Sequence, residues 1–78
     1  MSRYLIVIEG EGDSYSAYAP DVPGCVAAAD SREEVVSLMR EAMGFHLESL
    51  REHGDPVPAP SATGSEMIDV DDHAVQRS

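Results

Sequence analysis

Asp30-Ser31-Arg32-Glu33-Glu34-Val35-Val36-Ser37-Leu38-Met39-Arg40-Glu41-Ala42-Met43-Gly44-Phe45-His46-Leu47-Glu48-Ser49-Leu50-Arg51-Glu52-His53-Gly54 is the stretch that decides the fold, because helical periodicity is sustained here. At 100° per residue, Val35, Leu38, Met39, Ala42, Phe45, His46 and Leu50 fall in one broad apolar arc, widened by Val36, Met43 and Leu47. Ser37, Arg40, Glu41, Gly44, Glu48 and Arg51 lie opposite. Ser31 and Glu34 have the spacing at which a hydroxyl and a carboxylate satisfy unpaired donors of a first turn, and Glu33 and Glu34 suit the positive end of the helix dipole. Gly54 is placed to close the other end. The pattern predicts one amphipathic helix over positions 32–53, roughly 33 Å long at 1.5 Å per residue.

Outward from the helix on its N-terminal side, Cys25 to Ala29 reads as a short strand reached through Pro20-Asp21-Val22-Pro23-Gly24. Two prolines there cannot donate to a ladder and Gly24 can take positive φ, so the chain must bend. Before the bend, Ser14 to Ala19 alternates with Tyr15, Ala17 and Ala19 on one face. Gly10-Glu11-Gly12-Asp13 connects it to Arg3–Glu9, an apolar run that reads as a central strand. On the C-terminal side, Pro56-Val57-Pro58-Ala59-Pro60 forbids helix and supplies a stiff crossover. Glu66-Met67-Ile68-Asp69-Val70 then alternates as a fourth strand, expected parallel to a hairpin strand through a right-handed crossover. The expected architecture is α+β, β-β-β-α-β, with one long helix on a small mixed sheet. Residues 1–70 form the domain and Asp71 to Ser78 a polar, mobile tail.

Composition narrows the function. Fifteen acids against five bases in 78 residues give a formal charge of −10, which repels phosphate backbones and anionic membranes and attracts basic macromolecules. Direct nucleic-acid and membrane binding are thereby disfavoured. Cys25 alone cannot form an intramolecular disulfide, and the run Leu5 to Ile8 is too short for an export signal or a membrane span, so a cytoplasmic protein is expected. A core this small, with open sheet edges, favours a homodimer or higher oligomer.

As a set, Tyr15-Ser-Ala-Tyr18 running into Pro-Asp-Val-Pro-Gly-Cys-Val, Asp30-Ser31 opening a helix with Glu33-Glu34, Glu41-Ala42 with His46-Leu47-Glu48, and Gly54-Asp-Pro-Val-Pro-Ala-Pro60 resemble the HicB-like antitoxin family over about residues 3–70. The resemblance implies a truncated, catalytically inactive RNase H-like fold. It also implies a partner, a small basic HicA-type toxin that cleaves mRNA and is neutralised when its active-site side is covered. Ala29 stands where the family usually has Gly, and Val35 where Ala is common. Many members also carry a DNA-binding segment after the last strand; Asp71 to Ser78 cannot build one, so neither a DNA-binding domain nor autoregulation is carried over. The alternative is an orphan homo-oligomeric domain that has lost its toxin and serves as a scaffold or regulator.

Glu9, Tyr18 and Asp21 are expected near one end of the sheet, where an aromatic and two acids suit a partner contact. Pro20, Pro23, Gly24, Ser31, Glu34 and Gly54 carry turn and cap chemistry. A distant alternative is a metal-dependent nuclease, for which Glu9, Glu41, Asp69 and Asp71 would have to converge. Cys25 with His46 as base lacks an orienting third group, and a packed Cys and His are the plainer reading. His46 and His53 are two turns apart, roughly 10 Å, too far to share one metal directly. Met39 and Met43 read as packing, and Pro56 to Pro60, lacking an adjacent Arg, as a linker rather than a peptide ligand. No cofactor, metal or catalytic residue is expected.

Overall fold

The computed structural model describes residues 2–71. Three strands, β1 (Val7–Glu11), β2 (Ser14–Tyr18) and β3 (Val26–Ala29), precede one helix, α1 (Arg32–Glu52). The sheet has the order β1-β2-β3, and both pairings are antiparallel. This is an α+β arrangement, a small sheet with one helix laid across its inner face, chiefly over β3 and β2.

The ladder starts later than the apolar run suggests. Glu11 pairs with Ser14 across the two-residue turn Gly12-Asp13, so Val7 falls opposite Tyr18. Residue 6 would fall opposite Ala19, where the chain already enters its bend at Pro20; Tyr4, Leu5 and Ile6 therefore precede the strand as half-buried chain without a ladder partner. At the other end β1 takes in Gly10 and Glu11, which the sequence reading had assigned to the loop. Gly10 lies opposite Tyr15, and a Cβ on Gly10 would overlap the Tyr15 ring, so the aromatic lies against the glycine backbone.

Alternation along β2 sorts the sheet faces. Ala17 and, beyond the strand end, Ala19 are buried, while Ser14, Ser16 and Tyr18 are exposed. Val22, Cys25, Val35, Met39 and Met43 complete a core of small and medium side chains, with Tyr4, Ile6, Ile8 and Tyr15 packed around it. Val22 is fully buried although it sits in the bend. Two successive turns put it there: Val22 N–H donates to Ala19 C=O at 3.2 Å, and Cys25 N–H donates to Val22 C=O at 3.3 Å. In the second, Pro23 precedes Gly24 at φ 86°, the arrangement of a type II turn, in which a side chain at the Gly24 position would be strained.

Both helix ends are closed locally. The Ser31 hydroxyl accepts from Glu34 N–H at 3.1 Å, with Glu33 and Glu34 in the first turn and Arg51 in the last. At the far end Gly54 has φ 73°, its N–H donates to Arg51 C=O at 3.2 Å, and Asp55 N–H donates to Leu50 C=O at 2.9 Å. These are the two bonds of a Schellman motif. The buried stripe, Val35, Met39 and Met43, is narrower than the apolar arc of the sequence. Leu38 and Phe45, expected in that arc, face outward at 39% and 71% exposure.

The C-terminal segment departs most from expectation. Glu66–Val70 forms no strand, and among the described residues the sheet is purely antiparallel rather than mixed, with no parallel pair to which a crossover handedness applies. Met67, Ile68 and Val70 are exposed. The segment does run beside β1 in the expected direction. Pro60, Ala62 and Thr63 face Ser2–Leu5 across a cleft of about 580 Å³, and Ser65–Met67 face Ile6–Ile8, Gly10, Tyr15 and Arg32 across one of about 610 Å³. Alignment without a ladder leaves β1 at the sheet edge. The expected tail at 71–78 lies, apart from exposed Asp71, outside the described residues.

Candidate partner-binding face

Among the described residues, α1 covers the inner face of the sheet and leaves the outer face exposed. Val7 pairs with Tyr18 and Tyr18 with Val26, so these residues form one row across all three strands. Tyr18 is 44% and Val26 67% exposed, and Val7 is half-buried. The next outward row is Glu9, Ser16 and Ala28, all exposed. Glu9 and Tyr18 are thus diagonal neighbours on one face, at a separation of roughly 7–8 Å for such pairs. An apolar row with a tyrosine at its centre and a carboxylate at its border is the composition of a protein-contact patch.

Asp21 is placed differently. Its Oδ2 accepts from Ser61 N–H and Ala62 N–H, both at 2.9 Å, and its Oδ1 accepts from Ser61 Oγ at 2.7 Å. The Ala62 amide, then the Ser61 hydroxyl and amide, hold its carboxyl below the usual range against a weaker opposing effect of desolvation. Asp21 therefore ties the Pro20–Gly24 bend to the C-terminal segment, and Tyr4 Oη reinforces that tie by donating to Pro58 C=O. The structure brings Glu9 and Tyr18 together and commits Asp21 to the chain's own backbone. Sequence reading missed Val26; pairing register, not composition, puts it beside Tyr18.

The remaining candidates resolve singly. Cys25 is buried, and burial pushes its thiol pKa up, opposite to what a nucleophile needs. His53, the residue that caps the end of α1, donates from Nδ1 to Ser49 C=O at 2.7 Å. Among the described residues no three of His, Cys, Asp and Glu are placed to share a metal ion, so Glu9, Glu41, Asp69 and Asp71 do not converge. No described helix is long and apolar enough to cross a membrane. An apolar cleft of about 510 Å³ is lined by Tyr4 and Ile6 of the N-terminal segment and by Met39, Met43 and Leu47 of α1.

These features define a small α+β module whose outer sheet face is exposed among the described residues. Residues 4–75 match the family described as HicB_like antitoxin of bacterial toxin-antitoxin system, and the chain belongs to it. It is 40% identical over 55 residues to the uncharacterized 14.9 kDa protein in the rep-hol intergenic region of Haemophilus phage HP1, an alignment covering 70% of this chain and 41% of that protein. It is 36% identical over 57 residues to a UPF0150 protein of Synechocystis sp., covering 72% of each. Antitoxin HicB 2 of Photorhabdus laumondii is 28% identical over 72 residues, covering 87% of this chain and 49% of the antitoxin. The matched region is thus about half or less of the phage protein and the Photorhabdus antitoxin.

Proposed function

We propose that the chain is a non-catalytic antitoxin module that binds a small basic HicA-type mRNA-cleaving toxin and neutralises it by masking the active-site surface. Family membership over residues 4–75 carries this reading. A charge of −10 favours a basic partner, and the bare row Val7, Tyr18 and Val26 with Glu9 at its border supplies the contact. Asp21 acts on that contact only through the bend it holds. On this reading the three strands and α1 are the start of a truncated RNase H-like fold, and the protein works in the cytoplasm as a homodimer or higher oligomer. The exposed edge of β1 favours a second reading, an orphan oligomeric scaffold without a toxin.

A tagged full-length chain, recovered from its native lysate at low and at high salt, separates the two. The antitoxin reading requires one small basic protein whose RNA cleavage stops when this chain is added. Tyr18→Ala should then weaken that complex by about tenfold or more, the loss of a central aromatic anchor. Recovery of the chain alone, as an oligomer by light scattering, would put the orphan reading first.

A further inference from the structure

The second uncovered surface is the outward side of α1. Glu34, Leu38, Glu41, Phe45, Glu48 and Glu52 follow one another at alternating spacings of four and three residues, and all six are exposed. At 100° per residue they lie within an arc of roughly 80°, turned away from the stripe of Val35, Met39 and Met43 that meets the sheet. From Glu34 to Glu52 the stripe is roughly 27 Å long. Phe45 is 71% exposed at its centre, and beside it Glu48 and Glu52 border a shallow hollow of about 250 Å³. Neither Phe45 nor Leu38 belongs to the core, so neither is explained by the fold.

We propose that this stripe is a second docking surface, whose occupant is a cationic amphipathic helix of a partner protein. The charge pattern selects among occupants. Laid parallel, a second copy would set each carboxylate against its own counterpart; laid antiparallel, it would set Glu34 against Glu52 and bury Glu41 and Glu48 against Phe45 and Leu38, and in neither direction does the facing stripe offer a cation. An anionic membrane or a nucleic acid is repelled for the same reason. A helix with Lys or Arg flanking an apolar seam meets every position: its cations face the four carboxylates, and its seam covers Leu38 and Phe45. The sheet face and this stripe lie on opposite sides of the two-layer fold, so occupancy of one leaves the other open. The inference therefore stands apart from the toxin reading.

The probe is a synthetic peptide of Lys and Leu, about 18 residues to match the stripe, with all leucines on one helical face. It is titrated into the ¹⁵N-labelled full chain. Saturable amide shifts are expected along Glu34–Glu52, with none at Tyr18 or Val26. Phe45→Ala, which leaves the core untouched, should weaken binding by about tenfold or more with unchanged melting, and a peptide with leucines replaced by serines should lose as much at constant charge. Glu41→Gln with Glu48→Gln should weaken it by a similar factor and flatten its salt dependence. Equal affinity for Phe45→Ala or for the serine peptide would reduce the stripe to a charged surface and overturn the proposal. So would shifts confined to the sheet face, absence of saturation, or concentration-dependent shifts at Leu38 and Phe45 without peptide, which would make a second copy the occupant.

Discussion

Two methionines show how differently two parts of this chain are held. Met39, on α1, is 1% exposed; Met67, in the segment after the helix, is 96% exposed. Both stand in apolar patterns of the period proper to their expected element. The helix needs nothing beyond its own ends and a surface to cover: Ser31, Gly54 and the Val35, Met39 and Met43 stripe provide both. The C-terminal strand needs another backbone at ladder distance, and it runs beside β1 across open clefts instead. Its attachment comes from single side chains, Asp21 and Tyr4, reaching over to its backbone.

Met39→Ala is expected to have the largest effect, costing about 2–5 kcal/mol for a deep cavity, a large share of the roughly 4–12 kcal/mol available to 78 residues. Met67→Ala should change stability by less than about 0.5 kcal/mol. Urea titrations followed by circular dichroism compare them directly. If Met67→Ala proved as costly as Met39→Ala, the C-terminal segment would be packed in solution and the contrast would fail.

Gly10→Ala tests the sheet half. The added methyl group would overlap the Tyr15 ring, and moving that ring disturbs the inner face, for about 1–3 kcal/mol. A variant carrying Tyr15→Ala as well should lose most of this extra penalty, because the clash is gone. Strict additivity of the two changes would show that the ring does not lie against Gly10. A smaller effect belongs to the helix end: Ser31→Ala removes the hydroxyl that accepts from Glu34 N–H and should cost about 1 kcal/mol, while Ser31→Asp should retain most of the stability. An unchanged Ser31→Ala melt would mean that the first turn is held by packing.

The parts legible in sequence were those fixed by local chemistry. The helix and both its caps came from Ser31, Glu34 and Gly54, and the succession of three strands along the chain from alternation and the Pro20–Gly24 bend, but the first strand, expected to be central, lies at the sheet edge. Register was not legible, because it depends on a two-residue turn and on where Pro20 stops β2; that moved β1 toward Glu11 and placed Val26 beside Tyr18. Phe45 and Leu38 were misplaced because a periodic arc gives the direction of a helix face but not its width, which the small sheet beneath sets. Asp21 was seen as a turn residue, yet its partners lie 40 and 41 positions away. No spacing rule reaches across such a separation.

The smallest effect concerns that long-range tie and is visible only locally. Asp21 has its carboxyl pKa lowered from an ordinary 3.8, first by the Ala62 amide and then by the Ser61 hydroxyl and amide. A depressed folded-state pKa means that the tie contributes fully above the unfolded value and is lost as pH falls through the lower folded value. Amide resonances of Ser61 and Ala62 should therefore be constant down to about pH 4 and move below it, while those of α1 around Met39 stay in place. Asp21→Ala should give the released Ser61 and Ala62 positions already at neutral pH, with helix amides unshifted and faster hydrogen exchange confined to the segment after Pro58. The chain carries fourteen other acids, and the variant separates the Asp21 response from theirs. If Ser61 and Ala62 moved with acid equally in the variant, their response would come from the general loss of negative charge; if the helix amides moved with them, the two regions would unfold as one unit.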